Sequence, residues 1–184
     1  MSDFEFLRSE TVHTGHVFEV ERASIRLPDG AVVERSLIKH PGAVALVAVD
    51  HEERWLLVRQ YRIGVGDTLL EIPAGTRDPG EPPEVTAQRE LREETGYAAD
   101  SIVRLGGTWM VPGYCDEYID YFLASGLRPD PLAQDADEHL SEPIPMTYDE
   151  VLAALDDGRI QDAKTVVAAL LYGRRRLHPS SDAS

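Results

Sequence analysis

The sequence predicts a mixed α/β (α+β) domain, a β-sheet sandwiched between helices and preceded by an antiparallel strand extension. Three observations carry this prediction. Ala43 to Val49 is a continuous apolar run, the pattern of a strand buried on both faces. Segments of β-rich composition lie before and after it. Pro82 to Thr95 and two later segments carry helical signals instead. The order is strands, helix, strands, helices, which suits a sheet covered by helices.

Each element has its own warrant. Val17 to Leu27 and Ala31 to Ile38 are β-rich, and Pro28-Asp29-Gly30 between them is a turn, so they predict a hairpin. Trp55 to Gln60 is a strand after the polar turn Asp50 to Glu53, and Thr68 to Ile72 is a shorter one. Pro73 to Gly80 predicts a loop, since glycine and proline punctuate it. The helix from about Pro82 to Thr95 starts on prolines, which suit a first turn, and ends at Gly96, which suits a left-handed cap. Ile102 to Thr108 and Tyr118 to Ala124 predict strands, and Asp130 to Glu142 a polar, acidic loop. Tyr148 to Leu155 and Ala163 to Tyr172 predict helices, the second with Asp162 as N-cap. The domain organisation expected is an extension over 1–40, the main domain over 41–174 and a disordered tail over 175–184.

The 184 residues suffice for one domain with a real core. The net charge of −15 would repel a polyanion, so no nucleic-acid partner is expected. No apolar run approaches the length of a membrane span, and no membrane partner is expected. The acidic start lacks a signal-peptide layout, and the single cysteine, Cys115, cannot form an internal disulfide. Together these predict a cytoplasmic protein. Cys115 has no evident base beside it and reads as inert.

The informative segment runs from Gly75 to Tyr97. At about 100° per residue, Glu94 lies about 40° to one side of Glu90 and Glu93 about 60° to the other, so three carboxylates share one helix face. Ala87 and Leu91 sit further round, able to face the core. Like charges at i,i+4 repel, and the C-terminal half of a helix is already negative. A divalent cation would reverse both penalties, and Mg²⁺ prefers such oxygen ligands. Taken alone, such a face is more often solvated surface, here relieved by Arg89 and Arg92. The wider spacing decides otherwise. Gly75, five residues, Glu81, seven residues, then Arg89-Glu90-Leu91-Arg92-Glu93-Glu94-Thr95-Gly96-Tyr97 matches G-x₅-E-x₇-R-E-U-x-E-E-x-G-U, with U bulky and apolar. With each fixed residue at a typical usage of roughly 7%, chance gives that match on the order of once in a million such chains.

This pattern is the Nudix box, and the chain resembles the Nudix hydrolases. The resemblance implies that Glu90 and Glu94 are the principal metal ligands, with Glu93 close by as ligand or base and the carbonyl of Ala74 completing coordination. Glu81 and Arg89 would form a structural ion pair between loop and helix. The cofactor implied is Mg²⁺, with Mn²⁺ as a substitute. Arg59-Gln-Tyr-Arg62, Glu71-Ile-Pro-Ala-Gly75, Pro112 within Met110 to Glu117, and Gly158 to Thr165 are similar to the ADP-ribose pyrophosphatase branch. Arg59 and Arg62 are candidates for the diphosphate, because a guanidinium matches phosphate oxygens. Glu71 would accept from the base or ribose, or pair with an arginine. Pro112 would shape a loop, and Tyr114 would stack on a sugar or base, or simply pack. Similar enzymes place a catalytic glutamate on the acidic loop, here Glu138 first and Glu142 second.

The implied reaction is metal-dependent hydrolysis of ADP-ribose to AMP and ribose 5-phosphate. Other nucleoside diphosphate sugars and oxidised nucleotides remain open as substrates. A non-catalytic ADP-ribose sensor is the alternative from another class, which the intact box disfavours. A homodimer through the strands from Phe18 to Ile38 is expected, partly because similar enzymes exchange N-terminal elements. It is also expected because a lone hairpin has open edges. Arg35, Lys39 or Phe18 would then reach the partner's nucleotide.

Overall fold

The computed structural model describes residues 3–133 and 140–178. Ten strands and three helices are assigned among them. They fall into two compact units, a smaller one of residues 1–42 and 108–118 and a larger one of the rest.

In the smaller unit, β1 (Glu5–Thr14), β2 (Glu19–Arg26) and β3 (Val32–Lys39) form one antiparallel sheet in that order. The β2–β3 hairpin turns where expected, with Gly30 at φ 85°. Strand β1 lies within the 1–40 strand extension, though the sequence reading sets no bounds for it. Its residues are nearly all exposed, so neither face carries the apolar alternation that announces a half-buried strand. Near the other end, the Asp116 carboxylate pairs with Lys39 and accepts from the His40 amide at 2.7 Å, joining β3 to the 108–118 segment.

In the larger unit, β4 (Ala43–Ala48) is central. It pairs in parallel with β9 (Tyr118–Pro129) and antiparallel with β7 (Ala74–Thr76), and β8 (Tyr97–Trp109) completes the order β7-β4-β9-β8. Every residue of β4 is buried. Helix α1 (Pro83–Thr95) covers one face, where Ala87 and Leu91 join Val44, Leu46, Ala48, Leu56 and Phe122 in the core. Helix α3 (Ala163–Leu177) also packs on β4, with Ala168 and Ala169 buried. The sheet between helices that the sequence predicts is therefore present. A second sheet orders β10 (Ile144–Thr147), β5 (Arg54–Arg62) and β6 (Asp67–Glu71), and α2 (Tyr148–Asp156) follows β10 through a Thr147/Glu150 capping box. No helix among the described residues is long and apolar enough to cross a membrane.

Several boundaries depart from the sequence reading, among them β8, which starts at Tyr97 instead of Ile102, and β9, which runs on to Pro129 instead of Ala124. The Pro73–Gly80 loop contains β7, three residues that become a strand because β4 offers them an edge. Beyond the acidic stretch, residues to which the sequence reading assigns no element form β10, where Pro145 is tolerated on an edge strand beside Leu56. Helix α3 continues through Arg174, Arg175 and Arg176 to Leu177, into the stretch that the sequence reading assigns to a disordered tail. Basic residues in a last turn suit the helix dipole, and Arg176 stacks 5.3 Å from the Tyr148 ring.

Candidate active site

Helix α1 starts at Pro83 behind an extended Pro82 and ends at Gly96, which takes φ 77° and donates its amide to the Arg92 carbonyl at 3.1 Å. Between these ends, the face that buries Ala87 and Leu91 also buries Glu90 and Glu94, 6% and 2% exposed. Burying carboxylates is costly unless they are paired or bonded. The Ala74 amide, at the start of β7, donates to Glu94 Oε2 at 3.0 Å. Gly75, next in β7, lies so close to Glu90 that a Cβ there would coincide with the Glu90 carboxylate. The need for glycine at this position is thus one of approach.

Arg89 organises the rest. Its Nη1 donates to Glu90 Oε1 at 2.7 Å and to Glu93 Oε2 at 2.9 Å, and its Nη2 to Glu81 Oε2 and the Thr76 carbonyl, each at 3.2 Å. The loop-to-helix pair of Glu81 and Arg89 is therefore present, and Thr86 Oγ1 adds a bond to Glu81 at 2.8 Å. Burial raises the Glu81 pKa, but the bonds from Arg89, Thr86 and the Asp78 amide outweigh it and hold the carboxyl below its usual range.

Ala74, Glu90, Glu93 and Glu94 thus lie together. Among the described residues, no three acid, imidazole or thiolate side chains already surround a single point as a metal cage would. The donor set still fits a hard divalent cation in its chemistry. It offers three carboxylates and a strand end, and the missing Gly75 side chain leaves the Glu90 carboxylate its room. Arg89 holds two of the three acids.

A cleft of about 240 Å³ adjoins them, lined by Arg92, Glu93, Glu94, Leu140, Ser141 and Glu142 among others. Glu142 therefore shares a cleft with Glu93 and Glu94, whereas Glu138 lies outside the described residues. Ser141 is tied to β5, its Oγ accepting from the Arg59 amide at 2.9 Å and its amide donating to the Arg59 carbonyl at 3.2 Å. The Arg59 side chain is exposed.

Arg62 on β5 reaches Glu71 on β6, although the ladder pairs Arg62 with Asp67 and Glu71 with Val58. Arg62 Nε donates to Glu71 Oε2 at 3.2 Å and Nη2 pairs with Oε1. Of the two roles open to Glu71, pairing with an arginine is the one seen here. Lys164 completes this group, a residue that sequence reasoning misses. Its Nζ lies 2.9 Å from Glu71 Oε2 and 3.1 Å from Asp162 Oδ1, and it is buried. Two signals are available, a lysine just inside an N-capped apolar helix and its place in the Gly158–Thr165 stretch that resembles the ADP-ribose pyrophosphatase branch.

In the smaller unit, Arg35 is exposed on β3 and donates to the Glu34 carbonyl at 2.9 Å. Pro112 and Tyr114 are exposed on the 110–117 loop, and the Tyr114 carbonyl accepts from the Ile38 amide at 2.7 Å. Burial pushes the Cys115 thiol up, in keeping with an unreactive cysteine.

A family model for the NUDIX domain matches residues 39–169. The chain belongs to the Nudix family. A methanol dehydrogenase activator of Bacillus methanolicus is 38% identical over 163 residues, 88% of each chain. An ADP-ribose pyrophosphatase of Bacillus subtilis is 36% identical over 163 residues, again 88% of each chain. A solved structure described as an ADP compounds hydrolase superposes with a TM-score of 0.83 at 25% identity, covering 96% of both chains. The mixed fold and the membership expected from the box both stand. The protein is a Nudix pyrophosphohydrolase with its box in place on α1 and β7.

Proposed function

We propose that this Nudix enzyme hydrolyses ADP-ribose to AMP and ribose 5-phosphate with Mg²⁺, or Mn²⁺ in its place, in the cytoplasm. The observation that carries the reading is the burial of Glu90 and Glu94 on one face of α1 against the Ala74–Gly75 backbone. The names of the pyrophosphatase and ADP-compound relatives support the substrate.

Glu90, Glu94 and the Ala74 carbonyl would hold the cation, with Glu93 beside them. When bound, the cation neutralises diphosphate charge and lowers the pKa of the attacking water. The water oxygen bonds to one phosphorus, the bridging P–O bond breaks, and the bridging oxygen leaves with the other phosphate. A glutamate takes the proton of the water, Glu138 or Glu142 from the acidic loop or Glu93 from the box. Arg62 uses Nε and Nη2 on Glu71 and keeps further N–H donors for the diphosphate. Arg59 adds an exposed guanidinium from the same strand. Pro112 shapes the loop that carries Tyr114, which stacks on a sugar or base, and Arg35 reaches the partner subunit's nucleotide within a homodimer built through the N-terminal strands.

A turnover screen with Mg²⁺ over ADP-ribose, other nucleoside diphosphate sugars, dinucleotides and nucleoside triphosphates tests the substrate. ADP-ribose should give the highest kcat/KM, with AMP and ribose 5-phosphate as products. A triphosphate ahead by an order of magnitude refutes the ADP-ribose assignment. Binding without turnover of any compound indicates a sensor instead.

A further inference from the structure

Lys164 is a lysine buried among charges that the proposed reaction does not use. Its Nζ bridges Glu71 Oε2 at 2.9 Å and Asp162 Oδ1 at 3.1 Å. The Glu71 side chain is 1% exposed, and its carboxylate also takes Arg62. Asp162 accepts from the Thr165 amide at 2.9 Å and caps α3, while Thr165 Oγ1 donates to Asp162 Oδ2 at 2.6 Å. The same hydroxyl accepts the Ile72 amide at 3.1 Å. The start of α3 therefore grips the chain at two successive residues, Glu71 by its side chain and Ile72 by its backbone.

The metal-facing strand β7 begins two residues beyond Ile72. Pro73 accepts from the Leu46 amide at 2.8 Å, and Ala74 then donates to Glu94. Only Pro73 separates Ile72 from Ala74, so the anchor at the Ile72 amide lies two peptide units from the Ala74 amide that meets Glu94. We propose that Lys164 is a positioning residue for the carboxylate site, acting through Glu71 and the Ile72–Ala74 backbone on Ala74 and Glu94. It neutralises Glu71 from the α3 side, so that Arg62 and β7 keep one placement. This inference rests on the proposed cation role of Glu90 and Glu94.

Mn²⁺ titration followed by electron paramagnetic resonance of the free ion gives a readout independent of turnover. Lys164→Met should weaken Mn²⁺ binding and lower kcat by about tenfold, the scale of lost outer-shell support, with KM nearly unchanged. Lys164→Arg should recover most of both. Val151→Ala, a buried α2 position remote in sequence, serves as the destabilised control and should keep wild-type Mn²⁺ affinity. If Lys164→Met does not fold, the double variant Glu71→Gln/Lys164→Met removes one charge of each sign and should still bind Mn²⁺ more weakly. Unchanged Mn²⁺ affinity in the folded variant, or equal weakening in Val151→Ala, overturns the inference. Binding lost in Glu90→Gln yet intact in Lys164→Met overturns this inference alone. A wild-type protein that binds no Mn²⁺ overturns the cation reading and this inference with it.

Discussion

Arg89 Nη1 lies 2.9 Å from Glu93 Oε2, one turn along α1, and the same nitrogen holds Glu90. The guanidinium thus occupies part of the charge field that a cation would share. A cation at Glu90 and Glu94 would leave Arg89 its bond to Glu81, which ties the loop to the helix.

Glu90→Gln and Glu94→Gln remove the charge of the proposed ligands with little change in side-chain volume. Each should lower kcat by more than the ~100-fold that marks the upper range for an outer-shell partner. Circular dichroism should show the fold retained. Chelation should abolish turnover and added Mg²⁺ should restore it. Near-normal kcat at saturating Mg²⁺ in either variant refutes the ligand assignment.

The proton acceptor separates by kinetics. If Glu138 takes the proton, Glu138→Gln lowers kcat and leaves KM nearly unchanged. Glu142 shares the cleft with Glu93 and Glu94, so Glu142→Gln is the parallel test. A larger loss in Glu93→Gln with both loop variants almost silent moves the base into the box.

Gly75→Ala places a methyl on the Glu90 carboxylate. The carboxylate must turn away or β7 must move off α1. Overpacking of this kind costs about 1–3 kcal/mol. Thermal melts should show the loss, and turnover should fall with it. A variant with wild-type Tm and kcat contradicts the close approach.

Glu81 supplies a pH signature. Its folded pKa is depressed, because bonds from Arg89, Thr86 and Asp78 outweigh burial. Its contribution is therefore full above the unfolded value of about 4.3 and is lost as pH falls through the lower folded value. Glu81→Gln should cost about 1.5–3 kcal/mol at pH 7, the scale of hydrogen bonds to a charged group. The gap in Tm between the two proteins should close on acidification below about pH 4. A gap that widens in acid refutes the sign.

The homodimer is tested by sedimentation equilibrium and by deletion of residues 1–38. Phe4, Phe6, Val12 and Val32, on or beside β1 and β3, are about half-exposed or more, and a twofold partner would cover them. Full activity as a monomer at micromolar concentration refutes the proposal. So does a truncated protein that stays dimeric with its KM unchanged.

The elements legible in the sequence are those whose cause is local. The apolar run at Ala43 to Val49 announces a strand covered on both faces, because no polar residue interrupts it. Prolines before α1 and Gly96 after it mark its ends, because φ is restricted at the first and free at the second. The 100° step of a helix places Glu90, Glu93 and Glu94 on one face whatever surrounds them.

Tertiary structure decided the features that depend on distant partners. The three residues of β7 become a strand only when β4 presents an edge. Strand β1 carries no buried face, so its pairing with β2 leaves no hydrophobic period to read. Lys164 looks like any lysine near a helix start, and its burial comes from meeting Glu71, 93 residues earlier, when α3 docks. Periodicity and turn chemistry act over a few residues, and desolvation acts only once the chain has closed over the group.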